Sequence, residues 1–406
     1  MHPKDLSIDE FSYDLPNERI ASYPADPRDS SKLLIYNKGN ISEDIYRRLD
    51  THLSSDNALI FNDTKVIKSR IHFHRKTGAL IEVFCLEPYG EFIDYPTHFQ
   101  KKGSVLWKCM IRKAGKWKEK ELKKTIEVDN QKVTLTAEKI EQLSDAYVVK
   151  LSWTPTDLSF GEILPAAGNT PLPPYIKRAA EKQDDETYQT VYASHKGSVA
   201  APTAGLHFTE ELMHAFKTKD ISTLFTTLHV GAGTFKPVKT ETMEGHTMHS
   251  EWMNISTDFL ESLLEKIDQR IISVGTTATR TLESIYWMGN KILNHMNITE
   301  KTLKVTQWEV YEKQKIHSPK EAIAALLQWI RNRKQHYLMI ETEVIIAPGY
   351  EYKIVNGLIT NFHQPKSTLL LLVSALIGED WRKVYAYALK NNFRFLSYGD
   401  GCLLMP

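Results

Sequence analysis

The sequence predicts an α/β protein in which a larger α/β domain carries an inserted antiparallel β-barrel domain. Three observations predict it. From about residue 156 onward, helical segments alternate with apolar strands. Residues 70–155 instead hold short alternating segments separated by turn residues, the pattern of an antiparallel barrel or sandwich. The α/β pattern resumes after that stretch, so the stretch reads as an insertion. At 406 residues the chain is long for one domain. The expected division is 1–69 with 156–406 as a discontinuous α/β domain, and 70–155 as the insert.

The elements follow in order. A proline-rich turn, Tyr23 to Asp29, precedes a strand at Leu33–Tyr36. The apolar run Ala58–Phe61 ends at Asn62, Asp63 and Thr64, and a strand that stops at small polar residues delivers side chains to a ligand. In the insert, strands are expected at Leu80–Leu86, Val105–Ile111, Lys124–Val128, Val133–Thr136 and Ala146–Ser152. Thr209 reads as an N-cap with Glu210 and Glu211 in the first turn. Leu260–Ile267 is helical, and Ile271–Val274 is a strand. It runs through Gly275, Thr276 and Thr277 into a helix bearing Arg280 and Glu283. Ser318 and Glu321 form a capping box with Pro319 at the first helical position. A strand is expected at Val344–Ile346, ending at Pro348-Gly349.

Composition excludes several classes. A net charge of +1 gives no global field for nucleic acid, so any such site is a local patch. Cys85, Cys109 and Cys402 lie far apart in sequence, which argues against a zinc site or disulfide framework and predicts a reducing, cytoplasmic location. The first residues lack an apolar core, and Leu369–Ile377 is too short to cross a bilayer, so no membrane association is expected. No metal is expected either: His246 and His249 lack both an H-E-x-x-H form and a companion cysteine cluster. Gly231 and Gly233 do not start a dinucleotide loop, because Lys236 stands where a third glycine belongs.

The chemistry concentrates between Ser198 and Trp252. That span holds His207, His229, His246, His249 and Glu251 among glycines, hydroxyls and apolar residues. Small residues let a ligand approach the backbone, and imidazoles and carboxylates move protons near neutral pH. A cleft with acid–base chemistry is the natural reading, although a lone histidine such as His229 or His363 is more often a packing residue. Arg280 and Glu283 read either as a surface helical pair or as ligand-binding groups past a strand-to-helix turn. Gly275 to Thr277 suit an anionic group at a helix N-terminus. Residues 101–124 carry ten Lys/Arg and two Glu interleaved with Trp107 and Trp117, a composition that suits RNA or a solvated sheet face. Lys65, Lys68 and Arg70 form a second basic cluster, and Arg331, Arg333 and Lys334 a third.

Taken together, these runs resemble the S-adenosylmethionine:tRNA ribosyltransferase-isomerase family of queuosine biosynthesis. The matching stretches include Tyr13–Pro16, Phe61–Thr64, Pro171–Ile176, Tyr188–Tyr192, Ala200–Phe208, Thr227–Phe235, Met248–Glu251, Val274–Thr277, Pro348–Tyr350, Thr360–His363 with Pro365–Leu369, and Ser397–Asp400. The resemblance implies an α/β fold with an inserted β-barrel. It implies that S-adenosylmethionine, a co-substrate and not a prosthetic group, donates its ribosyl moiety to 7-aminomethyl-7-deazaguanine at the tRNA wobble position. The products would be epoxyqueuosine, adenine and methionine. The implied proton carriers are His207, His229, His249, Glu251 and Asp400. The implied substrate-binding residues are Asn62, Asp63, Thr203, Gly205, Phe208, Gly231, Gly233, Thr276, Thr277, Arg280 and His363. Phe208 or Phe235 would offer an aromatic face to the sulfonium. Lys65, Arg70, Lys113, Lys116 and Lys118 are expected to contact tRNA, and the oligomer is expected to be a monomer or homodimer. Two other readings compete: a diverged paralogue using another acceptor, and a non-catalytic RNA-binding protein.

Overall fold

The computed structural model describes residues 2–90, 93–231 and 240–406. Nine strands form the main sheet: β1 (Lys32–Asn37), β2 (Asn40–Ile45), β3 (Asn57–Asn62), β4 (Ser222–His229), β5 (Glu251–Ser256), β6 (Arg270–Val274), β7 (Tyr337–Thr342), β8 (Gly357–Asn361) and β9 (Gly401–Met405). Their order across the sheet is β7-β5-β4-β3-β6-β8-β9-β1-β2. Strands β4, β3, β6 and β8 are mutually parallel at the centre, and β5 and β9 run antiparallel to them on either side.

Period-two alternation sorts the side chains onto two faces. Leu34, Tyr36, Ala58, Ile60, Ile271 and Leu358 enter one core, covered by the helices Thr257–Lys266, Thr276–Asn294, Pro319–Asn332, Thr368–Ile377 and Asp380–Lys390. Leu33, Ile35, Leu59, Phe61, Ile272 and Ile359 enter the other, covered by the helix Glu210–Thr218. A sheet buried on both faces explains why its central strands read as unbroken apolar runs. The expected α/β class is what the molecule has.

A second sheet of seven antiparallel strands holds the expected β segments. Its order begins with Gly168–Asn169 and runs through Arg70–His74, Leu80–Pro88, Ser104–Arg112, Tyr147–Thr154 and Gln131–Gln142 to Glu121–Val128. The sheet curls so that Arg70–His74 and Glu121–Val128 touch, but among the described residues no ladder joins them. Its core also takes Phe160, Ile163 and Leu164 of the helix Phe160–Ala167. Cys85 and Cys109, far apart in sequence, are direct cross-strand partners, with sulfurs 3.9 Å apart as free thiols.

The strand expected at Val344–Ile346 is not one: β7 lies just before it, and Val344–Ile346 is irregular and buried. Side chains meet its backbone needs instead of a ladder. The Thr342 hydroxyl accepts from the Val344 amide, and the Val344 and Ile345 carbonyls accept from Arg280 Nε and the Tyr311 hydroxyl. Among the described residues no helix is long and apolar enough to cross a membrane, and no group of three or more His, Cys, Asp or Glu could hold a metal ion.

Candidate active site

The C-terminal ends of the parallel strands β4, β3, β6 and β8 converge on one edge of the main sheet, the usual ligand position in such sheets. Three hollows open there and share walls. The first is lined by Thr203, Thr276, Thr277, Asn361, His363 and the rings of Tyr175 and Tyr188, among others. The second is lined by His246, His249, Glu251, Arg280 and Val344–Ile346, and meets the first at Leu369. The third lies between the two sheets, lined by His229, Gly231, His249 and Glu251 on one side and Glu87, Tyr95 and Lys108 on the other.

One corner of the site is built by the turn between β6 and the helix Thr276–Asn294. Gly275 sits at φ +88°, a left-handed conformation that glycine adopts without strain, and no side chain caps the helix N-terminus. Thr277 Oγ1 is buried without a partner, and so is Arg280 Nη2 one turn later. The rest of the guanidinium is fixed: Nε donates to the Val344 carbonyl and Nη1 to Glu251 Oε2. Glu283 does not pair with Arg280. It is fully buried and accepts from the Tyr350 hydroxyl and from the amides of Lys353, Ile354 and Val355, so it shapes the loop after Pro348.

His229 ends β4. Its Nδ1 meets the Thr64 hydroxyl at 3.0 Å, and its ring packs against Tyr95 with centroids 4.5 Å apart. A Cβ at Gly197 would lie 2.7 Å from His229 Nδ1 and 2.9 Å from Tyr95, so this ring position requires glycine there. Burial, with nearby His195, lowers the His229 pKa to about 4, which leaves the ring neutral at pH 7.

Several predicted residues lie behind the hollows. His207 is buried, stacks on Tyr46 at 4.2 Å, and contacts the Ser31 hydroxyl and Asn361. Its pKa falls to about 3, chiefly by burial. Asp400 accepts from the Lys32 and Arg394 amides and the Arg394 side chain, and thereby ties β1 to the chain leading into β9. Asn62 stitches β3 to β4 through the Leu228 amide and carbonyl. Phe208 sits in the core with Tyr46 and Phe61, and Gly205 lies against the Tyr192 hydroxyl. Asp63 accepts from the Thr227 and Ser194 hydroxyls and meets the half-exposed His195, whose pKa its carboxylate raises. His363, by contrast, lines the first hollow, with Nε2 2.9 Å from the Thr360 hydroxyl and a pKa lowered to about 3 by burial. Gly233 and Phe235 lie outside the described residues.

Of the basic residues, Arg70 and Lys113 line one open groove together with Arg112, Lys177 and Arg178. Lys65, Lys116 and Lys118 are exposed elsewhere. The reading from sequence did not pick out Tyr95, Gly197 or Tyr175 as functional. A single aromatic in a β segment carries no positional signal, and Gly197 matters only through what it touches.

The sequence profile of the family described as "Queuosine biosynthesis protein" matches residues 8–404. A relative from Ruegeria pomeroyi, named S-adenosylmethionine:tRNA ribosyltransferase-isomerase, is 37% identical over 99% of this chain and 100% of its own length. One of the same name from Halothermothrix orenii is 35% identical over 98% and 100%. A solved structure described as S-adenosylmethionine tRNA ribosyltransferase from Thermotoga maritima is 27% identical over 98% of this chain and 100% of its own, with a TM-score of 0.46.

Proposed function

The chain belongs to the family of queuosine biosynthesis proteins, and from that premise we propose that it is an S-adenosylmethionine:tRNA ribosyltransferase-isomerase. It transfers and isomerises the ribosyl moiety of S-adenosylmethionine onto 7-aminomethyl-7-deazaguanine at the tRNA wobble position, releasing adenine and methionine. The observation that carries this reading is the anion corner: an uncapped helix N-terminus with Arg280 Nη2 and Thr277 Oγ1 both buried and unpartnered. Such groups cost free energy unless a ligand satisfies them. A methionine carboxylate does so through charge-assisted hydrogen bonds, and the Glu251 carboxylate in the same hollow suits the adjacent ammonium.

The reaction needs a base for the sulfonium's 5′ carbon, an acid for departing adenine, and an uncharged amine to attack. Neutral His229 and the neighbouring His249 and Glu251 supply proton carriers where the two hollows meet. His207 and Asp400 support the site from behind. Gly231, Thr203, Thr276 and His363 line the cleft, and the Arg70–Lys113 groove takes RNA phosphates. The division into 1–69 with 156–406 and a barrel-like insert at 70–155 belongs to this proposal, as does a cytoplasmic location.

The test is incubation with S-adenosylmethionine and tRNA carrying the aminomethyl-deazaguanine base, followed by mass analysis of nucleosides and free adenine. Epoxyqueuosine with adenine is the expected result. An unchanged base from protein that binds the donor would move the acceptor elsewhere. Absence of donor binding would leave an RNA-binding protein.

A further inference from the structure

Behind the first hollow runs a directed chain of hydrogen bonds that the reaction scheme above does not use. The Ser31 hydroxyl donates its one hydrogen to the Arg28 carbonyl at 2.9 Å. Towards His207 Nδ1, 3.0 Å away, it can therefore only accept, so Nδ1 carries the ring proton. The ring is neutral, because burial and the Arg394 charge oppose its protonation. Its Nε2 is then an acceptor, and it receives Asn361 Nδ2 at 3.1 Å. The Asp400 carbonyl, 3.5 Å from the same Nδ2, is a second acceptor. Both neighbours demand the amide nitrogen, and this fixes which way the side chain points. Oδ1 is left buried without a partner on a residue that lines the hollow.

We propose that Asn361 Oδ1 is a specificity-determining acceptor for an N–H donor of the co-substrate, the exocyclic amine of its adenine, and that His207 is a positioning residue that locks the amide in this orientation. The proposal rests on S-adenosylmethionine being the donor. The two N–H donors of that molecule are the adenine amine and the methionine ammonium. With the carboxylate at Arg280, the ammonium lies beside Glu251, so the adenine amine is the donor left for Asn361. A site with a fixed, desolvated acceptor rejects a ligand that lacks the donor, because the acceptor then stays unpaired.

The test measures equilibrium dissociation constants of the full-length protein for S-adenosylmethionine, its 6-oxo (hypoxanthine) analogue, and an analogue lacking the α-amino group. The native protein is expected to prefer adenine over the 6-oxo form by roughly ten-fold or more. Asn361→Ala is expected to bring the two within about two-fold of each other, because adenine loses its acceptor and the 6-oxo form no longer faces an unpaired one. His207→Phe keeps the stack on Tyr46 but removes the nearer of the two acceptors that hold the amide, leaving only the Asp400 carbonyl at 3.5 Å, so 6-oxo binding should hold or tighten while adenine binding weakens. A merely structural histidine would weaken both alike. Equal binding of both forms by the native protein, or a preference that survives Asn361→Ala, would overturn the proposal. A preference that Asn361→Ala removes for the α-amino analogue instead would overturn the adenine assignment. A folded protein that binds none of the three ligands would fail the proposed function itself.

Discussion

At the scale of single residues, close contacts decide the site. Gly197→Ala would place a methyl against His229 and Tyr95, where φ is also +153°. We expect turnover to fall at least about ten-fold, because misplacing a proton carrier by an ångström costs one to two orders of magnitude. Steady-state kinetics beside a melting curve checks this. Arg280→Lys keeps a charge but cannot serve Val344, Glu251 and a ligand from one planar fork. Its expected effect is a raised KM for the donor. An unchanged KM would remove Arg280 from the carboxylate site. His207, His229 and His363 all have folded pKa values well below an unfolded histidine, at about 3, 4 and 3. The unfolded chain therefore binds more protons between those values and about 6.5, and stability is lost as pH falls through that window. Each ring contributes at most about 1.4 kcal/mol per pH unit there. Denaturant unfolding at pH 7 and pH 5 should show a smaller drop for His363→Gln than for the native protein.

At the scale of elements, what was legible followed period. β1, β3 and β6, the Ser318 capping box and the alternating strands of the insert were readable because burial imposes a repeat of two or 3.6 on the side chains. Val344–Ile346 misled because its three apolar residues are buried for a different reason: side chains, not a neighbouring strand, satisfy their carbonyls. Thr276, Thr277 and Arg280 could be singled out as candidates because a strand, a glycine and a helix start lie in sequence. The use of His207 as a brace was not readable, since its partners Ser31 and Asn361 are 176 and 154 residues away. The Arg280 helix has its own test. Gly289 lets it approach the helix Pro319–Asn332 so closely that a Cβ would lie 1.9 Å from the Ala322 carbonyl oxygen. Gly289→Ala should separate the helices and cost about 1–3 kcal/mol, read as a lower denaturant midpoint with unchanged slope.

At the scale of the whole molecule, the segment 170–180 stands between the first hollow and the basic groove. Tyr175 faces the first hollow and bonds the Ser397 hydroxyl at 2.6 Å, while Pro173, Pro174, Lys177 and Arg178 face the basic groove. A polynucleotide backbone in that groove would run beside the hollow, which suits delivery of one base. Neutralising Arg112, Lys113 and Lys177 together should weaken tRNA binding and reduce its log–log salt slope by about two to three, with donor affinity unchanged. Measuring dissociation constants across a salt series decides it, and an unchanged slope would remove the groove from the RNA path. The net charge of +1 gives no sign of this groove; Arg70 and Lys113 are visible as members of local basic runs, whereas Lys177 and Arg178 join them only in the fold.

Strand β9 lies between β8 and β1, and the other eight strands of the sheet precede it in sequence. During synthesis the sheet therefore stays in two halves until β9 emerges from the ribosome. Asn361 and Asp400, which meet at the cleft floor, come together only once β9 can pair. A nascent chain stalled before β9 exposes two open strand edges within the sheet, those of β8 and β1, and such edges invite pairing with other chains. The arrival of β9 is therefore also the step that closes the floor of the candidate cleft.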